Sequence, residues 1–368
     1  MKENRLQTVA RRLITVPLAV VLTAVALGVL LVAVLTSPAT LLVGRRRRLL
    51  RFSAFLLVYL LTDLLGVAAA GWIWLRCLIS AGPAPGPGPG PGPARNQLLQ
   101  AQSYALLGRL LALLHSSAVR LFGLRIQVSP PIPSLANESP TPLLVFARHA
   151  GPGDSFLLLH ALLCEAGLSP QVVLKQFLRW DPCLDVLISR TPHCFVPSGG
   201  DSRTTVEQIA ALGAQVRPGQ AVVIFPEGGN FTELRRSRAI SWLRRHGQLR
   251  RAARAQQQHH VLPPRMPGSL ALLSGSAGGS AGSSTGSSTG GSADVVFVAH
   301  TGLDRLDSLI RIWHGVPLRE PLTASWWRVP GSEVPSAKAA QEEWLTNQWS
   351  KVDSWIDHEW QQTDRQQG

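Results

Sequence analysis

Between Leu13 and Leu35 the chain carries no charged residue. At about 1.5 Å of rise per residue, a helix of that length crosses a hydrocarbon core of ~30 Å. Such a run reads as a membrane-spanning helix rather than as part of a soluble core. A secretory leader has a shorter apolar region and a small-residue cleavage site, so an uncleaved anchor is expected. A second apolar run, Phe52 to Leu75, is interrupted by Asp63, which either faces a partner helix or reaches the lipid–water interface. Lys2, Arg5, Arg11 and Arg12 precede the first run, and Arg45 to Arg48 with Arg51 follow it. The positive-inside rule places both clusters on the cytoplasmic side, which one simple crossing does not satisfy. A hairpin eased by Pro17 and Gly28, or dominance of one cluster, would resolve this, and the sequence leaves both open.

Composition bounds the rest. The 36 basic residues against 22 acidic ones give a net charge of +14, and only four of the basic residues are lysine. Charged residues make up 16% of the 368 positions, below the roughly 25% of a soluble domain, while 45% are hydrophobic. A mostly disordered chain is excluded. Excess positive charge suits nucleic acid, an anionic membrane or a phosphorylated substrate. No nucleic-acid-binding signature accompanies it, so no nucleic-acid partner is expected. Cys77, Cys164, Cys183 and Cys194 form no C-x-x-C pair, which argues against a zinc ribbon or a disulfide scaffold; buried reduced thiols and no metal site are expected.

Residues 1–81 are therefore read as membrane anchor segments. From Gly82 to Pro93 glycine and proline nearly alternate, and residues 82–95 read as an extended linker. Residues 96–360 form the expected catalytic domain, with 361–368 as a tail. Asn96 to Phe122 reads as a leucine-rich helix, lying on lipid or in the core. A Gly/Ser tract, residues 274–292, reads as a flexible loop. Within it Gly278 to Gly282 matches the spacing of a hydrolase nucleophile elbow, but that motif requires a strand before it and a helix after it, and neither is expected here.

Beyond Leu124 short apolar runs alternate with helical stretches. Strands are expected at 124–128, 143–147, 171–174, 194–196, 221–225 and 295–299, and helices at 155–166, 185–189 and 202–212. This pattern specifies an α/β fold: a sheet flanked by helices, preceded by the N-terminal membrane helices. Two of its strand ends carry chemistry. After 143–147 come Arg148, His149 and then Asp154, across Gly151-Pro152-Gly153. A carboxylate on one imidazole nitrogen fixes the tautomer and leaves the other nitrogen as a general base. After 221–225 come Pro226, Glu227 and two glycines; the glycines permit close approach of a ligand, and Glu227 can accept hydroxyl hydrogen bonds. Either feature alone is compatible with an ordinary strand end.

Together, and in order, they resemble the glycerophospholipid acyltransferase family, which includes the 1-acylglycerol-3-phosphate acyltransferases. The matching residues are His149 and Asp154 of the H-x4-D motif, Lys175 within Val173 to Phe177, Phe225-Pro226-Glu227-Gly228, and Val261 to Arg265. His259-His260 before the last block, with the tail from Trp344 to Ile356, looks most like the lysocardiolipin acyltransferase branch. The likeness spans roughly Leu143 to Ile356. It implies a glycerol-phosphate-acyltransferase-like sheet and transfer of an acyl chain from acyl-CoA, a co-substrate, to a lysophospholipid, above all 1-acyl-sn-glycerol-3-phosphate. No bound cofactor is implied.

By that resemblance His149 deprotonates the acceptor hydroxyl, Asp154 steadies the imidazolium, and Phe225 to Gly228 lie near the acceptor glycerol. Lys175, Arg203 and Arg265 are the further substrate-binding candidates, with Arg190 behind them for the phosphate. The chain departs from the family where an arginine is usual, at Ser198, with Arg203 the nearest, and where Gly229-Asn230 replaces threonine-arginine. Acceptors of another kind (lysocardiolipin, another lysophospholipid or a glycolipid) and a catalytically silent lipid-binding protein are the alternative readings. The implied setting is integral, in the plasma or cytoplasmic membrane, with a cytoplasmic catalytic domain. Eight arginines between Arg235 and Arg254 either meet anionic lipid or coenzyme A phosphates or form a solvated helix face.

Overall fold

A computed structural model describes residues 5–42, 48–80, 93–134, 141–151, 153–197, 202–279, 292–306 and 309–367. In chain order its helices and strands are α1 (Arg5–Leu42), α2 (Arg48–Ser80), α3 (Pro93–Phe122), β1 (Ile126–Val128), β2 (Leu143–Ala147), α4 (Asp154–His160), β3 (Ser169–Lys175), α5 (Pro182–Ile188), β4 (His193–Val196), α6 (Arg203–Gln215), β5 (Gln220–Ile224), α7 (Glu233–Arg245), α8 (Leu249–Gln257), α9 (Met266–Gly279), β6 (Asp294–Thr301), α10 (Leu309–Gly315), β7 (Leu322–Val329) and α11 (Lys338–Gln367). Most of the Gly-Pro run, Pro152, Ser198 to Gly200 and the tract from Ser280 to Gly291 lie outside the described residues.

The chain divides into two units. The first comprises Met1–Leu124, Leu174–His193 and Val316–Arg319. Helices α1, α2 and α3 are each long and apolar enough to cross a membrane. Asp63, within α2, is buried and accepts the backbone N–H of Cys183 at 2.8 Å, so it faces a partner helix. Asp181 caps α5 by accepting from Leu184 N–H at 2.8 Å and also takes the Tyr59 hydroxyl. Arg11 and Arg12 each place a guanidinium nitrogen 2.7 Å from a different oxygen of buried Asp185.

The second unit comprises Arg125–Val173, Cys194–Gly315 and Glu320–Gly368. Its sheet has the order β1-β7-β6-β2-β5-β3-β4. Strands β6, β2, β5 and β3 are parallel neighbours, whereas β7 is antiparallel to β6 and parallel to β1. Alternate residues of each strand point to opposite faces. Leu144, Phe146, Val222, Ile224, Val295 and Phe297 pack on one face with residues of α6, α9 and α11. Trp349 of α11 is fully buried there, and Trp344, Trp355 and Trp360 pack against the cluster as a stripe along the helix.

Several features differ from the sequence-based expectations. Strand β7 was not foreseen. The helix at 155–166 breaks into α4 and a π-helical turn, Ala161–Glu165. Helix α9 runs through Ser274 to Gly279, where a flexible loop was expected to have begun. It continues because Gly213 and Gly275 let α6 and α9 approach: a Cβ on Gly213 would lie 2.5 Å from the Leu272 carbonyl oxygen, and one on Gly275 would overlap that of Ala210. None of the four cysteines is in a disulfide; Cys77, Cys183 and Cys194 are buried as expected, whereas Cys164, on the π-helical turn, is exposed.

Candidate active site

The pairing register assembles the site. Phe146 of β2 is paired with Ile224 of β5 and with Phe297 of β6. His149, Glu227 and His300 each follow three residues after one of these. Because the strands run parallel, all three residues arrive level at one edge of the sheet, and open α/β folds bind ligands beyond the carboxyl ends of their strands.

Asp154 opens α4, where its charge complements the helix N-terminus. The chain turns back through Gly151, where a Cβ would lie 3.1 Å from the carbonyl oxygen of Leu303. Both carboxylate oxygens of Asp154 lie 2.9 Å from Nδ1 of His149. Oδ2 also accepts the backbone N–H of Ala150 at 2.7 Å and of Gly151 at 3.0 Å, and Oδ1 accepts that of Ser155 at 2.8 Å. Burial acts to raise the Asp154 pKa. The hydrogen bond and charge of His149, the nearby His300 and the backbone donors outweigh it and hold the carboxyl below its ordinary value. With Nδ1–H donated to a carboxylate, the lone pair of His149 sits on Nε2. The imidazole is partly exposed and packs 4.7 Å from the ring of Phe225.

Glu227 is used inward. It is buried, and its Oε2 accepts the backbone N–H of His149 at 2.9 Å while Oε1 accepts that of Leu262 at 3.0 Å. Burial pushes its pKa up to about 8, against the charge of Arg148 and these two backbone bonds. Glu227 thus ties the end of β2 to the segment before α9. Pro226 accepts the backbone N–H of Arg265 at 2.7 Å. Gly228 has φ +68, and a Cβ there would lie 2.5 Å from Nε of Arg265, so only glycine lets that arginine lie across the turn. The Phe231 N–H closes the loop onto the His149 carbonyl at 2.7 Å.

Residues not singled out from the sequence brace this arrangement. Arg148 is fully buried. Its Nε and Nη2 donate to the His260 carbonyl at 3.0 and 2.6 Å, its Nη1 to the His300 carbonyl at 2.7 Å, and it is paired with Asp304. His300 donates from Nε2 to the Arg148 carbonyl at 3.0 Å and lies 3.9 Å from Asp154. Burial holds its pKa below the usual histidine value, with Arg148 acting in the same direction and Asp154 opposing. Asp353 of α11 accepts the backbone N–H groups of His259 and His260, the latter at 2.7 Å, and Trp349 donates to the Leu262 carbonyl at 3.0 Å. A histidine at the end of the 295–299 strand was visible in the sequence, but only the register brings it beside His149.

On the opposite face of the sheet from the core cluster lies an apolar cavity of about 180 Å³. Val145, Val296 and Val298 of the sheet line it together with Leu158 and Leu162, and Asp154 and His300 are also in its wall. Arg265 lies against the Glu227–Gly228 turn. Arg203, at the start of α6, is 94% exposed and pairs with Glu207 at 3.0 Å. Lys175 ends β3, and Arg190, in the first unit, donates to the Ala70 carbonyl at 3.0 Å.

No curated protein and no solved structure matches the chain. The family model described as Acyltransferase matches residues 132–266, a stretch that contains His149, Asp154, Glu227 and Arg265. It ends before α11, on which part of the likeness to the lysocardiolipin branch rests. The match, over 135 of the 368 residues, supports an acyltransferase domain at 132–266 and a place for the chain among the glycerophospholipid acyltransferases, without reaching a branch.

Proposed function

We propose that this protein is a membrane-bound O-acyltransferase that moves an acyl chain from acyl-CoA to the free hydroxyl of a lysophospholipid, foremost 1-acyl-sn-glycerol-3-phosphate. The observation that carries the reading is His149, held at Nδ1 by both oxygens of Asp154. In the proposed reaction Nε2 takes the proton of the acceptor hydroxyl as its oxygen attacks the thioester carbonyl. Asp154, already ionised, stabilises the imidazolium that forms. Collapse of the tetrahedral intermediate breaks the carbon–sulfur bond, and the imidazolium returns the proton to the departing thiolate. The products are an oxoester and the free thiol, and no acyl-enzyme is required.

The apolar cavity beside Asp154 suits an acyl chain, since burying methylenes there gains about 0.8 kcal/mol each. Arg265 is our choice for the acceptor phosphate: it is exposed and lies beside the Gly228 turn that follows Glu227, whereas Arg203 stands in solvent at the start of α6, beside Glu207. With cytosolic acyl-CoA as the proposed donor, the same proposal puts the site on the cytoplasmic side of the membrane. The test supplies labelled acyl-CoA with a panel of lysophospholipid, lysocardiolipin and glycolipid acceptors, followed by lipid analysis. Phosphatidic acid should be the main product. His149→Ala should reduce turnover by on the order of 10²–10⁴ while membrane insertion persists. Near-normal turnover per folded molecule in His149→Ala would overturn the mechanism. A preferred acceptor without a glycerol phosphate would overturn the substrate.

A further inference from the structure

Helices α7 and α8 form a hairpin whose sequence holds eight arginines and one glutamate between residues 233 and 257. Thr232 caps α7 by accepting the Arg235 N–H at 3.2 Å, and Gly247, with φ +71, makes the turn. Ile240, Leu243, Ala252 and Ala255 are the buried seam.

The structure sorts the arginines. Arg236 turns inward, donating to the Gln258 and Gln256 carbonyls at 2.6 and 2.9 Å, and Arg251 donates to the Pro264 carbonyl at 2.8 Å. Arg238, Arg244, Arg245 and Arg250 are exposed. On α7, Leu234, Arg238, Ser241 and Arg245 follow at intervals of four, three and four, so they share one stripe, opposite the buried seam, with Trp242 beside it. Large apolar groups stand exposed among these charges: Leu234 is 60%, Trp242 47% and Leu249 66% exposed.

Trp242 stacks on His246 at 4.1 Å yet keeps about half its surface outward, and Leu234 and Leu249 are more exposed still; a soluble polyanion is held by arginines and stacked aromatics and gains nothing from exposed leucines. Arginine interleaved with tryptophan and leucine on an outward stripe fits the boundary of an anionic bilayer: guanidinium groups reach the headgroup phosphates while the apolar side chains enter the acyl region. The chain also carries helices fit to cross a membrane, so a lipid surface is within its reach.

We propose that the outward stripe of α7, with Leu249 of α8, is a docking surface for anionic phospholipid headgroups. It is separate from the acyl-transfer site, and the proposal does not rest on that reading. The test uses the full chain in lipid nanodiscs. Ser241→Cys, in a Cys164→Ser background that removes the exposed native thiol, carries an environment-sensitive fluorophore. In discs containing phosphatidylglycerol the label should shift to the blue and be quenched by a nitroxide on the acyl chains. In phosphatidylcholine discs both effects should be weak. Arg238→Glu with Arg245→Glu should abolish them, and each arginine simply removed should weaken insertion roughly fivefold. High salt should weaken it as well. These four replaced side chains are all exposed, so the fold is expected to survive, with unchanged circular dichroism. A water-like label in anionic discs would overturn the proposal, as would insertion that is equal in both lipids and indifferent to charge reversal. A response only to added RNA or polyphosphate would assign the stripe to a soluble polyanion and overturn it too.

Discussion

His149 has one ring nitrogen committed and one available, and the difference comes from a single carboxylate placed by a glycine turn. That much was legible as H-x4-D spacing. What Glu227 does was not. The sequence offered it as an acceptor for a substrate hydroxyl; in the fold each of its oxygens also accepts a backbone N–H, from residues far apart in the chain. Nor did the sequence distinguish Arg148 from the other arginines, because its role depends on carbonyls brought in from two distant segments. Glu227 also makes stability depend on pH. Its carboxyl moves from an ordinary 4.5 to about 8 in the folded protein, so between those values the native state binds a proton that the unfolded chain has released. Stability should therefore fall as pH rises through this window, and Glu227→Gln should flatten the slope in melting temperatures measured from pH 4.5 to 8. An identical slope in the variant would mean that Glu227 is ionised throughout. For acceptor binding, Arg265→Ala should raise KM for a phosphorylated acceptor at least several-fold more than Arg203→Ala, with kcat less affected, if the contact is equal in ground and transition states. Steady-state kinetics of both variants decide between them; the reverse order would return the phosphate to Arg203.

At the scale of elements, the parallel strands were readable because each is a short apolar run bounded by turn residues. Strand β7 was missed because its burial does not alternate: only Leu322 and Val329, at its ends, are buried, and the residues between are intermediate. The start of the Gly/Ser tract was misjudged for a related reason. Glycine weakens an isolated helix by up to ~1 kcal/mol per residue relative to alanine, but here two glycines gain close packing between α6 and α9 that propensity does not register. Gly275→Leu should therefore destabilise the protein by about 1–3 kcal/mol through overpacking. Denaturant titration checks this; an unchanged midpoint would show the contact with Ala210 to be loose. Helix α11 extends on both sides of the tail from Trp344 to Ile356 that carries part of the family likeness, and its use of Asp353 to hold the His259–His260 backbone emerges from the fold alone.

At the scale of the whole molecule, the three apolar helices predict that the intact chain stays in the membrane pellet through high-salt and carbonate washes, since salt screens only electrostatic attachment. Recovery in the washed supernatant would contradict an integral assignment. The division into units has a practical side. The first unit takes up three separate stretches of sequence, the second of them being Leu174–His193. Cutting the chain after Leu124 would not release a self-sufficient soluble enzyme, because Asp185 would lose Arg11 and Arg12, and the Cys183 amide would lose Asp63. A buried carboxylate stripped of its partners is costly, on the order of 3–5 kcal/mol. Leu174–His193 thus belongs to the first unit although it lies in sequence between two stretches of the second, so the units are interleaved along the chain rather than consecutive. Recombination in evolution could not readily fit this enzyme with a different anchor, and a fragment lacking the first helices is expected to collect in inclusion bodies rather than in the soluble extract.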